Sequence, residues 1–363
     1  MTRKYGARRA TAATAAALTA VLGLAACGGN SSSASSADPS SYDAMTPAQL
    51  ATAAAKEGSV TWYTTFASDD VTPVIAAFNK TYPDVKVNVL RLSADQIPAR
   101  VMTEQKANSF KADVVSGDSP QVAQLVNNKA LQPYTPPDLP ALPAGLSLPQ
   151  GYQGVIYALT TTVVYNPSAL KKQGLATPKT WEDLTKPEWK GKFSIDPDAI
   201  NWYDAMIGIL GHDKALDLVK RLGANDPVPV ESHTQAITDV QSGEPVASAT
   251  GYGYKAAQLK EDTPDRVAFV NDNPVPVSLN LVDVMRNAPH PAAARLLDDW
   301  LVSKAGQTAI VGTTKQPSIR TDVANDPTVW DPTTWKPSFG QPLMSASTYN
   351  AELAEYQAAL GVQ

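Results

Sequence analysis

The stretch SVTWYTTFASDDVTPVIAAFNKTYPDVKVNVL, residues 59–90, decides the fold. Its first seven residues, SVTWYTT, are β-branched or aromatic almost throughout and read as a strand. Residues 69–81 place Val71, Val74, Ile75 and Phe78 on one helical face, and Asp69 and Asp70 fall at the electropositive N-terminal end. VKVNVL, residues 85–90, alternates like a second strand. A strand, a helix-length crossover and another strand make a parallel pair, the unit of an α/β sheet flanked by helices.

Outward from that unit the alternation continues. Upstream, Thr46 as N-cap, Pro47 in the first turn and Gly58 past the end frame a short helix. Downstream, Ser93 and Gln96 suggest a capping box for a helix carrying Ile97 and Val101. DVVS at 113–116 is a buried-type strand, and Ser119-Pro120 opens the next helix. Residues 133–149 hold six prolines and predict an irregular crossing. YQGVIYALTTTVVY at 152–165 reads as paired strands, and Asn166-Pro167 starts a helix. Strands near 193–196, 246–250, 267–270 and 277–285 alternate with helices near 198–210, 213–222 and 232–241, from 252, and from His290-Pro291. The last of these helices turns Leu296, Leu297 and Trp300 to a core. Ser232, like Ser119, falls where an N-cap is expected.

The first 45 residues belong to none of this. Arg3, Lys4, Arg8 and Arg9 precede an apolar and small-residue run, 11–26, that ends at the chain's single cysteine, Cys27. The run is shorter than the roughly 20 residues a membrane-spanning helix needs, so it reads as an export signal. Residues 27–45 are Ser-rich and polar and predict a flexible tether, with a reach on the order of 20 Å. Without the four basic residues of the leader, 26 basic and 35 acidic side chains remain, a net charge of −9 with His neutral. An acidic chain excludes nucleic acid as the natural partner. With Cys27 used at the boundary, neither a disulfide nor a Cys-based metal site is available.

Leu24-Ala25-Ala26-Cys27 resembles the lipobox of bacterial lipoproteins, which implies lipidation of Cys27. The rest resembles extracellular solute-binding proteins of ABC importers, and within them the ferric-iron-type branch. The resemblance rests on an ordered set of local patterns: Val60-Thr61-Trp62-Tyr63-Thr64, Ala77-Phe78 with Tyr82-Pro83, Ala112-Asp113-Val114-Val115, Val164-Tyr165-Asn166, Thr180-Trp181-Glu182-Asp183-Leu184, Pro187-Glu188-Trp189-Lys190-Gly191-Lys192, Ser242-Gly243-Glu244, Leu301-Val302-Ser303-Lys304-Ala305-Gly306-Gln307 and Pro317-Ser318-Ile319-Arg320. It implies a two-lobed, type II periplasmic-binding-protein-like α/β fold with solute in the interlobe cleft. Lobe one would be 59–162 plus 275–320, lobe two 163–274, and 321–363 a tail packing across both. It also implies a monomer that hands its cargo to membrane permease subunits, without cofactor or catalysis.

Loops after strand ends should face that cleft. They offer Thr64, Thr65, Arg91, Asp118 and Ser119 from lobe one, Thr161 at the hinge, and Trp202, Tyr203, Thr234, Tyr252 and Tyr254 from lobe two. Arg91, between Leu90 and Leu92, reads as a grip on a carboxylate or phosphate or as half of an ion pair. Asp118 reads as a helix cap or as a partner for a cation. Ferric-binding relatives place two adjacent tyrosines at a turn that matches Tyr252-Gly253 here, so one ligand is missing in register. A ferric site would need Tyr252, Tyr254 and Asp118 together. The expected cargo is therefore a small polar or anionic solute, with ferric ion as the alternative. A sensor-coupled binding lipoprotein and an extracytoplasmic hydrolase are the remaining readings.

Overall fold

The computed structural model describes residues 40–270, 274–330 and 335–362. The leader and Cys27 lie outside them. The described chain opens on a helical turn, α1 (Ser40–Asp43), inside the stretch expected to be tether. The cause is a long-range tie: Arg295 Nε donates to Asp43 Oδ1 at 2.6 Å. In α2 (Pro47–Glu57) the predicted cap is complete, with Thr46 and Gln49 bonded reciprocally and Gly58 left-handed at φ 73°.

β1 (Ser59–Thr64), α3 (Ser68–Thr81), β2 (Lys86–Arg91), α4 (Gln96–Lys106), β3 (Val114–Asp118) and α5 (Ser119–Asn127) follow in the alternation read from the sequence. β1 lies between β2 and β3, parallel to both. Two start signals differ. Asp95, not Ser93, precedes α4, and only one arm of the expected box forms, Ser93 N–H to Gln96 Oε1 at 3.1 Å. Ser119 is the first residue of α5 and Asp118 holds its cap position, yet the Asp118 side chain makes no capping bond.

The second part comprises β4 (Val155–Tyr165), α6 (Pro167–Gln173), β5 (Phe193–Ile195), α7 (Ile200–Leu210), α8 (His212–Gly223), β6 (Val228–Pro229), α9 (His233–Ser242), β7 (Ala247–Tyr252), α10 (Gly253–Asp262) and β8 (Ala268–Phe269). The chain ends with β9 (Val275–Val284), α11 (Pro291–Val302), α12 (Lys304–Thr314), β10 (Pro337–Ser338) and α13 (Ala346–Leu360). Residues 155–165 form one strand rather than the expected pair, because VIYALTTTVVY contains no Gly, Pro or Asn on which to turn. β4 instead changes partner midway. It pairs with β9 as far as Thr160↔Val277, and from Thr161↔Tyr252 onward it pairs with β7. The sheet order β2-β1-β3-β9-β4-β7-β5-β6 thus divides into two halves that share β4.

Strand alternation fills a core on both faces of each half. In the first half Val60, Trp62, Val114 and Val282 join the α2, α3 and α11 side, while Tyr63, Val115 and Leu281 join the α4 and α5 side. In the second, Val163, Phe193, Ile195 and Ala247 pack with α7, α8 and α13, and Val164 faces α9 and α10. The buried carboxamide of Gln307, donating to the carbonyls of Ile156 and Leu301 at 2.7 Å each, anchors α12 to β4.

Candidate functional site

β3 and β5 run parallel to their neighbours β1 and β7, so in both halves strand ends and helix starts converge on one crevice. Asp118 ends β3, Asp196 follows β5, and Tyr252 ends β7 at the start of α10. Between them lies a cavity of about 230 Å³. The first half contributes Ser93, Ala94, Asp95, Asp118, Gln121 and, from β9, Ser278, and the shared strand β4 contributes Thr161. The second half supplies Asp196, Asp198, Ala199, Ile200, Asn201, Trp202, Glu231, His233 and Tyr252, and α13 adds Tyr349. A larger cavity, about 810 Å³, is bordered by Pro140–Ala144, Ile319–Asp322, Trp330 and Trp335–Pro337. Its lining mixes apolar residues with Arg320, Thr321, Asp322 and Lys336, and among the described residues none comes from the second half, whereas the smaller cavity takes residues from both halves.

Its electrostatics are one-sided. Five carboxylates line it (Asp95, Asp118, Asp196, Asp198 and Glu231), and among the described residues neither Lys nor Arg does. Burial raises Asp118 above the ordinary carboxylate range, opposed by the Asn280 carboxamide, which donates at 3.2 Å, and by nearby His233. Burial likewise raises Asp196, whose Oδ2 lies 3.4 Å from His233 Nε2. His233 Nδ1 meets the Thr250 carbonyl, and its ring lies against Tyr252 with centroids 4.3 Å apart. Burial first, then the charges of Asp118 and Asp196, push the Tyr252 phenol well above its usual range, so it is a neutral hydroxyl here. Tyr349, half-buried and facing Asp95, Asp198 and Asp118, is pushed up to about 12.

Of the residues expected from sequence, Asp118, Thr161, Trp202 and Tyr252 meet around this cavity. Thr65 stands just behind it, accepting from Asn280 Nδ2 at 2.9 Å, the same carboxamide that holds Asp118. The others are placed elsewhere. Arg91 is exposed at the end of β2, the edge strand, and does not line the cavity. Alternation explains it: Leu90 and Leu92 pack toward the α4 and α5 side, and Arg91 takes the opposite face. Thr64 is fully buried, 2.7 Å from Ser116 Oγ, and ties β1 to β3. Ser119 is buried in the first turn of α5. Tyr203 points away, donating to Glu355 Oε2 at 2.7 Å and stacking on Tyr356. Thr234 and Tyr254 meet each other, with Tyr254 packed into the first-half core and near Asp70.

The set expected for ferric ion is therefore split, since Tyr254 is not a lining residue. Gly253, which follows Tyr252 at the turn into α10, has little room for a side chain. A Cβ there would lie 2.5 Å from Thr160 Oγ1 on the shared strand. Among the described residues no three His, Cys, Asp or Glu side chains gather closely enough to hold a metal ion. Sequence reasoning missed Asp95, Gln121, Asp196, Asp198, Glu231, His233 and Tyr349. Asp196 could have been found, since it follows a predicted strand just as Asp118 does; nothing near Tyr349 pointed to the cleft.

Comparison with known proteins agrees with this architecture. Over 214 residues the chain is 25% identical to an Fe(3+)-binding periplasmic protein of Serratia marcescens, covering 56% of this chain and 62% of that one. It superposes on the fructose-6-phosphate-bound periplasmic binding protein AfuA from Actinobacillus pleuropneumoniae with TM-score 0.74 and 22% identity, covering 85% of this chain and 100% of AfuA. For iron-bound HitA from Pseudomonas aeruginosa the values are 0.70, 21%, 82% and 99%. Two neighbours at 21% and 22% identity hold an iron ion and a sugar phosphate, so the shared fold, a two-lobed periplasmic-binding-protein-like α/β fold, does not select the cargo. The family model for bacterial extracellular solute-binding proteins matches residues 74–337, and the chain belongs to that family.

Proposed function

We propose that this chain captures a small polar solute in the interlobe cavity and delivers it to the permease subunits of an ABC importer. The observation that carries the reading is the cavity itself, walled by strand ends of both halves with the partner change of β4 at Thr160 and Thr161 beneath it. A solute touching both walls stabilises the closed arrangement in proportion to its extra affinity for it. The same partner change supports lobe boundaries at 59–162 plus 275–320 and 163–274. Contacts of α13 with α5, α7 and α8 support a tail that packs across both. We assign Asp118, Thr161, Trp202 and Tyr252 to solute binding, with Thr65 as a positioning residue, and leave Arg91 out.

Native mass spectrometry of the full chain purified from its own cells tests the capture. One low-mass solute per chain, together with contraction of the scattering radius when it is restored to stripped protein, is the expected result. A chain that carries nothing and does not contract with a whole-cell small-molecule extract overturns it. Anchoring through Cys27 belongs to the same proposal, motivated by Leu24-Ala25-Ala26-Cys27. Cys27→Ala should abolish incorporation of a fatty-acid probe, and unchanged labelling contradicts the anchor.

A further inference from the structure

Resting on the reading of the cleft as a solute site, we infer that its cargo is a small organic cation that also carries a hydrogen-bond acceptor, held between Asp118 of one half and Asp196 and Glu231 of the other, against Trp202 and Tyr252. Charge is the first argument. Among the described residues His233 is the one basic side chain on a wall with five carboxylates. The starts of α5 and α9 offset part of that charge, but a helix end is worth only about 0.3–1 kcal/mol to a neighbouring charge. An anion would enter this field with no Lys or Arg to pair with. Asp196 is buried and Asp118 half-buried while the other three are exposed, and a cation is what carboxylates gathered around one cavity attract.

Two orphaned groups are a second and independent argument. Trp202 is 2% exposed and lines the cavity, yet its indole N–H has no hydrogen-bond partner. Gln121 is 5% exposed and also lines it; its Nε2 donates to Asp95 Oδ1 at 3.3 Å, while Oε1 has no partner. Buried polar atoms of this kind are rare, and each calls for a complementary group. Gln121 Oε1 asks for a donor, as an ammonium supplies, and Trp202 Nε1 asks for an acceptor. A bare metal ion could take the Gln121 oxygen as a ligand but offers the Trp202 N–H no acceptor. The volume agrees, since about 230 Å³ is many times the roughly 10–15 Å³ that a water needs.

Titration calorimetry on stripped full-length protein tests this with choline, thiamine and spermidine as organic cations and with ferric citrate and glucose 6-phosphate as the contrasting cargoes. At least one of the organic cations should bind one to one, and the contrasting cargoes should not. Asp196→Asn and Glu231→Gln should each weaken that binding tenfold or more, with the melting point of the stripped protein unchanged for the exposed Glu231→Gln. Trp202→Phe should weaken choline or thiamine, which carry acceptors, more than spermidine. Binding of ferric citrate or glucose 6-phosphate in place of the cations overturns the inference and leaves solute capture standing. Binding of a cation indifferent to both carboxylate variants overturns it too, as does a panel in which none of the three cations binds. Contraction with a whole-cell extract then decides separately whether capture itself survives.

Discussion

Gly253 is the residue where sequence and structure explain each other most fully. The turn into α10 brings it against Thr160, whose Oγ1 donates to the Val329 carbonyl at 3.2 Å, so a side chain at 253 would press on a tied hydroxyl. Gly253→Ala should therefore cost about 1–3 kcal/mol in urea unfolding, the usual cost of overpacking, and Thr160→Ala should relieve most of it. A neutral Gly253→Ala would contradict the close approach. Asp299 is the titrating counterpart. Burial pushes it up to about 6 although it accepts from Tyr134 Oη at 2.7 Å. A carboxyl raised in the fold binds its proton more tightly there than in the unfolded chain, so its contribution is favourable at low pH. That contribution is lost as pH rises from about 4 through about 6. Asp299→Asn should raise stability at pH 7 by up to about 3 kcal/mol and flatten the dependence on pH across that window. An unchanged slope would contradict the raised pKa.

Elements were legible where periodicity and punctuation coincided. The strand–helix–strand of 59–90 and the cap at Thr46 follow from local spacing alone, and the structure has them. The shared strand β4 was misread because an apolar run of that length is compatible with a hairpin, and only the missing turn residue argues for one strand. The tail helix α13 went unread although Tyr349, Leu353, Tyr356 and Leu360 recur at helical spacing. Its weight is substantial: Tyr356 is fully buried among Trp202, Tyr203 and the rest of the second-half core, and donates to the Asp196 carbonyl at 2.8 Å. Tyr356→Ala should cost about 3–5 kcal/mol, whereas Tyr356→Phe should cost about 0.5–1.5. Equal effects in thermal unfolding would contradict the packing role.

At the scale of the whole molecule, the sequence carried the two-lobed plan but not the charge of the cleft. Asp95 lies some hundred residues before Asp196 and Asp198, and Glu231 some thirty after them, each beside polar or proline residues where it reads as surface. Only the crossing of β4 and β9 between halves brings them together. Arg91 shows the converse error, since a charge between two leucines drew attention that strand alternation dissolves. Solute that binds the folded chain alone should stabilise it by about 2.7 kcal/mol at a hundredfold excess over Kd, read as a rise in unfolding midpoint. No rise at saturation would contradict binding to the native state. The most direct test of the account is a crystal structure of the full chain with the solute it retains on purification. The account predicts one organic cation within hydrogen-bond distance of both Asp118 and Asp196. A solute seated between Pro140–Ala144 and Trp335–Pro337, or an anion in the interlobe cavity, would contradict it.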